Sequence, residues 1–151
     1  MKTLMHLLTP IKVNSLEISN RLVMPPMGTS LGSNDATVSE ANIAYIKRRA
    51  QGGAGLVITE ITAVHPSGHP VPNALGIWDD KFIPGLQQLA DAVHQQGGRI
   101  SLQLYHSGRE NYLLLKQNKA IAPSAVPSYI FGFLGAPRKM TIAEIEEIIA
   151  S

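Results

Sequence analysis

Apolar residues recur along the chain in two alternating rhythms. Ile11 to Val13 and Leu16 to Ile18 alternate apolar and polar positions around Asn14-Ser15, which predicts a hairpin. Arg21-Leu22-Val23-Met24 reads as a buried strand, stopped by Pro25-Pro26 because proline offers no N–H to a ladder. After a loop from Gly28 to Thr37, Ser39 caps a helix whose Ile43, Ile46 and Ala50 recur at three- and four-residue steps. Gly52-Gly53 ends that helix, and Leu56-Val57-Ile58-Thr59-Glu60 predicts a second buried strand. A Pro/Gly/His loop follows to about Pro72. Asp79 or Asp80 opens the next helix, with Phe82, Ile83, Leu86, Leu89, Ala90 and Val93 on one face, and Gly97-Gly98 closes it. Ile100 to Tyr105 is the third strand. After another long loop, Thr141 and Glu144 form a capping box for a last helix with Ile145, Ile148 and Ile149 on its apolar side. Ser151 falls inside that helix or just beyond it.

Strand, loop and helix thus follow one another three times, which predicts parallel strands joined by crossover helices. The loops after the strands are long and those after the helices short, the arrangement α/β enzymes use to build sites at the C-terminal ends of strands. An eight-fold barrel takes about 250 residues, and the chain has 151. The pattern therefore predicts an incomplete α/β barrel, or else a small open α/β sheet. Either leaves an unpaired strand edge and apolar surface on show.

Composition narrows the function classes. Hydrophobic residues make up 44% of the chain and charged residues 16%, which suits a folded globular protein. The apolar runs, such as Ala54 to Ile58, are far shorter than the roughly 20 residues of a membrane span. Met1 to Leu8 is too short for a signal peptide and lacks a cleavage pattern. With no cysteine, there is no disulfide, thiolate metal site or thiol nucleophile, and the expected location is cytoplasmic. The net charge of +2 is mild, and Lys47-Arg48-Arg49 reads as a solvated helix face. Neither nucleic acid nor membrane is an expected partner.

Candidate chemistry sits where strands end. Pro25-Pro26-Met27-Gly28-Thr29 combines a stiff backbone, a polarizable side chain and a glycine that admits close approach. It suits a flat aromatic cofactor, or it is a rigid turn. Glu60 is a catalytic carboxylate or, more in keeping with such positions, an acceptor for N–H groups of neighbouring loops. Gln103 lies in an otherwise apolar run and offers a donor and an acceptor together, matching a ring edge that alternates C=O and N–H. The alternative is a glutamine satisfied by main chain. His106 is a candidate acid/base group and Arg109 a candidate anion clamp. His65 and His69 lie four apart, but Pro66, Gly68 and Pro70 exclude a helix that would bring them to one face for a metal. The chain carries no G-x-G-x-x-G and no P-loop.

Several of these stretches, taken in order, resemble the Old Yellow Enzyme (NADH:flavin oxidoreductase) family. They are Pro10-Ile11-Lys12-Val13 with Leu16; Asn20 to Thr29; Arg49 to Glu60; Leu102-Gln103-Leu104-Tyr105-His106-Ser107-Gly108-Arg109; Ala122-Pro123-Ser124; and the Met140-Thr141 helix opening. The order and spacing are the family's over essentially the whole chain. The resemblance implies that residues 1–151 are the first three β/α units of a (β/α)8 barrel, preceded by a hairpin. It implies FMN at the C-terminal face of the strands, with Pro25, Pro26 and Met27 along the isoalloxazine. Gly28 or Thr29 would lie near the flavin carbonyl, Ile61 near the ring, and Gln103 on the pyrimidine edge.

The implied reaction runs from NADH or NADPH through FMN to an activated alkene such as an enone, an enoate or a dienoyl-CoA. The Pro-Pro-Met-Gly-Thr form is similar to the bacterial enoate and dienoyl-CoA reductase branch, whose members often add an iron–sulfur cluster and a second, nucleotide-binding region after the barrel. Two departures stand out. Gly28 replaces the usual Thr or Cys beside the flavin, and Ile61 is bulkier than the usual small residue. The histidine pair, or His/Asn pair, that holds the substrate comes from a later strand in this family, as do the proton-donating Tyr, the Arg near the flavin and the phosphate loops. No catalytic residue is therefore expected within residues 1–151; the catalytic groups are expected beyond Ser151. Expected partners are a small alkene and the remainder of the barrel or a second copy of the chain. The alternative is a non-catalytic part-barrel.

Overall fold

In a computed structural model, which describes residues 6–151, the strands fall into one parallel sheet flanked by two short accessory pairs. Met1 to Met5, part of the stretch weighed as a leader, lie outside the described residues. Ile11–Val13 (β1) and Leu16–Ile18 (β2) form the expected antiparallel hairpin, with Ile11 opposite Ile18. Asn14 turns it at φ 52°, a left-handed conformation that asparagine tolerates better than most residues.

The parallel sheet is built from Val23–Met24 (β3), Leu56–Ala63 (β4) and Arg99–Tyr105 (β6). β4 lies at the centre, with Val23 and Met24 beside Leu56 and Val57, and Leu56 to Ala63 running beside Arg99 to Tyr105. Asn20 fastens the start of this sheet: its side-chain oxygen accepts from the Leu22 and Gly55 amides, and its amide donates to the Gly53 carbonyl. The first strand departs from expectation. Only Val23 and Met24 are paired, and Val23 is 48% exposed rather than buried, because no strand of the described chain covers that side. Where Pro25 and Pro26 lead the chain away from β4, the vacated edge at Thr62 and Ala63 is filled by Leu75–Gly76 (β5), which the sequence pattern did not foresee.

Helix α1, Glu40–Gln51, and helix α2, Ile83–His94, cover one face of the sheet. Ser39 caps α1, with Asn42 returning the second bond of a capping box. Ile46 and Ala50 of α1 meet Val57 of β4 and Leu89 and Val93 of α2, and Met24, Ile43 and Ile100 pack around them. Each fully buried side chain of this size contributes about 1.5–3 kcal/mol, so this cluster is the main source of stability. The α2 face differs from the pattern in two positions. Ala92 is buried, and Ile83 is 56% exposed because a 3-10 turn, Asp80–Phe82 capped by Asp79, precedes the helix and rotates its start. Gly53 and Gly97 take positive φ and turn the chain from each helix into the next strand.

Beyond β6 the chain forms a short helix α3, Tyr112–Lys116, and a parallel pair of Ile121–Ala122 (β7) and Arg138–Lys139 (β8) that closes the long loop. Helix α4, Ile142–Ala150, has the expected Thr141–Glu144 capping box. Ser151 stands just beyond it as the C-cap, its amide donating to the Glu147 carbonyl at 3.1 Å. Ile142 and Ile149 of α4 are 71% and 79% exposed, and Leu104 on the outer strand is 64% exposed. In a parallel ladder alternate residues bond to alternate sides. Arg99 and Tyr105 bond toward β4, so the main-chain groups of Ile100, Leu102 and Leu104 face the open edge. The result is a three-unit α/β sheet with no closed barrel. No helix of the described residues is long and apolar enough to cross a membrane.

Candidate functional site at the C-terminal ends of the strands

β3, β4 and β6 run the same way, so Pro25 to Thr29, Glu60 to Ala63 and Gln103 to His106 all emerge at one end of the sheet. A bulge in β4 decides which side chains share a face there. Ile58 lies opposite Ser101, but it is Ile61, three residues on, that lies opposite Gln103, two residues on. The extra residue keeps Ile58 and Ile61 on the face of Ser101 and Gln103, and it turns Glu60 the other way.

Glu60 is 5% exposed and accepts four hydrogen bonds. They come from the Thr29 amide at 2.9 Å, the Thr29 hydroxyl at 2.6 Å, the Ser30 amide at 3.3 Å and Asn42 Nδ2 at 2.9 Å. Asn42 sits in the first turn of α1, where the helix dipole also favours a negative charge. Glu60 is thus the acceptor for loop N–H groups, and it pins the segment after β3 against β4. The pattern missed Asn42, whose spacing from Ser39 marks only a cap.

The same bonds commit Thr29. Its hydroxyl donates to Glu60 and accepts from the Leu31 amide, and its own amide also goes to Glu60. On this segment Pro25 and Pro26 have no N–H, and among the described residues the Gly28 amide has no partner within the chain. Met27 is 53% exposed, and a side-chain carbon added at Gly28 would meet nothing within 4 Å. Across the sheet, the Gln103 amide nitrogen of the main chain donates to the Thr59 hydroxyl, while its half-buried side-chain amide has no partner within the chain. Among the described residues, then, no main-chain group satisfies that side chain.

His106 and Arg109 take different roles. Arg109 is exposed and pairs with the neighbouring Glu110 at 3.4 Å. His106 Nδ1 accepts from the Gly108 amide at 3.1 Å, and its Nε2 lies 3.0 Å from the Ser67 hydroxyl. Burial first, and then the nearness of the His65 imidazole, holds its pKa below the ordinary histidine value. His65 and His69 diverge: His65 turns to Ser67 and, at 3.5 Å, to Glu147, while His69 bonds the Ala74 carbonyl and packs edge-on against Trp78. Next to His106, the buried Ser107 hydroxyl has no partner.

Ser151, which marks the near limit of the expected catalytic groups, takes no part in the strand-end site. It is exposed, and its hydroxyl is spent at 2.8 Å on the Glu147 carbonyl of its own helix. Ser151 therefore serves as the cap of its own helix.

The Gly28 amide and the Gln103 side-chain amide are thus left without partners among the described residues, while Glu60 is committed to the segment after β3 and to Asn42. No cluster of three or more metal-ligating side chains occurs among the described residues.

Comparison with known proteins places the chain among flavin oxidoreductases. The family model described as NADH:flavin oxidoreductase / NADH oxidase matches residues 6–151. The chain is 44% identical over 141 residues to an NADH oxidase of Thermoanaerobacter brockii, covering 91% of this chain and 21% of that one. It is 38% identical over 144 residues to an NADPH dehydrogenase of a Geobacillus species, covering 95% of this chain and 41% of the relative. The fold superposes on the crystal structure of Old Yellow Enzyme from a Pichia species with a TM-score of 0.84 at 30% identity, covering 94% of this chain and 39% of that one. The chain therefore spans between a fifth and two fifths of the relatives' lengths.

Proposed function

Since this chain belongs to the NADH:flavin oxidoreductase / NADH oxidase family, we propose that it forms the first three β/α units of a longer FMN-binding barrel and supplies one wall of the flavin site. The observation that carries the reading is the pairing of Ile61 with Gln103 at the strand ends, with the Gln103 side-chain amide left without a partner. When bound, FMN supplies two-electron chemistry, taking a hydride from NADH or NADPH and passing one to an activated alkene such as an enone, an enoate or a dienoyl-CoA.

In this reading the residues of the chain bind and orient. Gln103 offers donor and acceptor to the pyrimidine edge. Pro25 and Pro26 present a stiff surface without N–H groups, and Met27 adds a polarizable side chain. The Gly28 amide is the donor for the flavin carbonyl, a role Thr29 cannot share while its hydroxyl is held by Glu60. Ile61 narrows the space beside the ring. The groups that hold the alkene, donate its proton and anchor the FMN phosphate belong to later strands, beyond Ser151. Residues 1–151 alone therefore bind FMN weakly and turn over no alkene.

The test compares the 151-residue chain with the same chain extended through the rest of the barrel. The extended protein should retain FMN and reduce a cyclic enone with a reduced nicotinamide. Stoichiometric FMN and enone reduction by residues 1–151 alone would contradict the proposal. A second reading, a non-catalytic part-barrel, is favoured by the exposed Leu104, Ile142 and Ile149. It gains if the extended protein carries no flavin.

A further inference from the structure

His106, Ser67, His65 and Glu147 form a continuous chain of polar contacts across the loops that leave β4 and β6. The donors can be assigned from one fixed point. The Gly108 amide donates to His106 Nδ1, so the single proton of neutral His106 sits on Nε2 and is donated to the Ser67 oxygen at 3.0 Å. The Ser67 hydroxyl must then donate onward to His65 Nδ1 at 2.7 Å, which also accepts from the Ser67 amide. His65 therefore carries its proton on Nε2, facing the Glu147 carboxylate of α4 at 3.5 Å.

This chain conducts no proton into the site, because it ends on a backbone N–H that cannot release its hydrogen. What it does is fasten. Around it, the Val64 amide donates to the Tyr105 carbonyl and the Ser107 amide to the Gly68 carbonyl, each linking one strand end to the other. Asn111, fully buried, donates to the Ser67 and His69 carbonyls from the other side. A side-chain carbon at Gly68 would sit 2.6 Å from the His106 ring, so the loop closes on the imidazole with no room to spare.

We propose that His106, Ser67 and His65 are positioning residues, a tautomer-locked clasp that holds the mouth of the site in the register pairing Ile61 with Gln103. The clasp deepens the flavin-site reading and rests on it for its purpose, though its geometry stands apart from any ligand. It also makes the mouth sensitive to acid. Protonated His106 would turn Nδ1 into a donor facing the Gly108 N–H, leaving that contact with two donors and no acceptor. The titratable groups around His106 are His65, with Glu147 behind it, and Tyr105, Arg109 and Glu110 on its own segment; toward α4 and β7 it meets Pro123, Met140 and Ile145. Because the folded-state pKa of His106 is depressed, the clasp is intact above the ordinary histidine value of about 6.5 and is lost as pH falls through the lower folded value.

The experiment is nuclear magnetic resonance of the 151-residue chain and its Ser67→Ala and Ser67→Thr variants. Imidazole nitrogen shifts should show the Nε2–H tautomer for His65 and His106, and His106 should stay neutral to below the ordinary histidine value of about 6.5. Ser67→Ala should speed exchange of the Val64 and Ser107 amides by about tenfold, as expected for one lost hydrogen bond, while leaving Val57 unchanged. Ser67→Thr should restore the protection, and in the parent chain the protection, corrected for intrinsic exchange, should fall as His106 protonates. Mixed tautomers, titration of His106 at or above that ordinary value, or Val64 and Ser107 exchange indifferent to Ser67 would overturn the clasp. Added FMN separates the two readings. A clasp with the stated tautomers and protection but no FMN response at Gln103 leaves the clasp standing and removes the flavin site.

Discussion

Replacing Glu60 by glutamine exchanges one acceptor oxygen for an NH2 group in a pocket that supplies four donors. Two orientations of the new amide are available. If the NH2 takes the place of Oε2, it confronts the Thr29 and Ser30 main-chain amides, neither of which can turn round. If it takes the place of Oε1, the Thr29 hydroxyl can rotate to accept, but Asn42 Nδ2 is left facing another donor. Asn42 cannot flip, because its Oδ1 holds the Ser39 amide of the α1 cap. The second orientation is cheaper and still strands one buried donor, at about 1–3 kcal/mol, while the remaining bonds lose their charge assistance.

We expect a loss of about 3 kcal/mol, which for a chain of this size lowers Tm by roughly 6–12 °C. Thermal and urea melts followed by far-UV circular dichroism measure it. Asn42→Ala should cost less in the Glu60→Gln background than alone, since the two residues share a bond. A Glu60→Gln protein melting within about 2 °C of the parent would refute the idea that this carboxylate anchors the segment after β3.

Other substitutions separate space from strain. Gly28→Ala should change stability by less than about 0.5 kcal/mol in a urea melt, because the added carbon meets nothing within 4 Å. Gly68→Ala should cost about 1–3 kcal/mol in the same assay, since its carbon would overlap the His106 ring. At α4, the Arg138 hydrogen bonds, with help from the Thr141 amide, lower the Glu144 carboxyl from 4.5 to about 2. That depressed pKa stabilises the helix start above pH 4.5, and the contribution disappears as pH falls through about 2. An acid titration of helix signal should lose this dependence in Glu144→Gln, and an unchanged profile would count against the pair.

Much of the fold could be read from periodicity and punctuation. The hairpin, the α1 cap at Ser39 and the Thr141–Glu144 capping box depend on neighbours a few residues apart, and each stands where the pattern puts it. What the pattern hid depends on distant partners. β5 is a strand only because Pro25 and Pro26 lead β3 off the edge of β4, leaving Thr62 and Ala63 free to pair. Ile83 reads as core by spacing, yet the 3-10 turn before it shifts the phase of the helix. Val23, apolar and strand-forming, is half exposed because local sequence carries no record of which element will cover it.

The site divides the same way. Residue types at strand ends point to Pro25 to Thr29 and Gln103, the family resemblance adds Ile61, and the sheet brings these to one end. The β4 bulge, which sets Ile61 opposite Gln103 and turns Glu60 away, has no signature in a run such as Leu56-Val57-Ile58-Thr59-Glu60-Ile61. Ser67 and Asn111 were overlooked for a related reason. Polar residues in loops are common, and only the tertiary contacts to His65, His106 and the Ser67 carbonyl distinguish these two.

The most direct test of the flavin-site account is a titration of the isotope-labelled 151-residue chain with FMN into the millimolar range, read residue by residue by nuclear magnetic resonance. The account predicts weak, saturable shifts at the Gly28, Thr29 and Ile61 amides and the Gln103 side-chain amide. No shift at these positions, or shifts gathered instead around α4 or the Lys47-Arg48-Arg49 face, would contradict it.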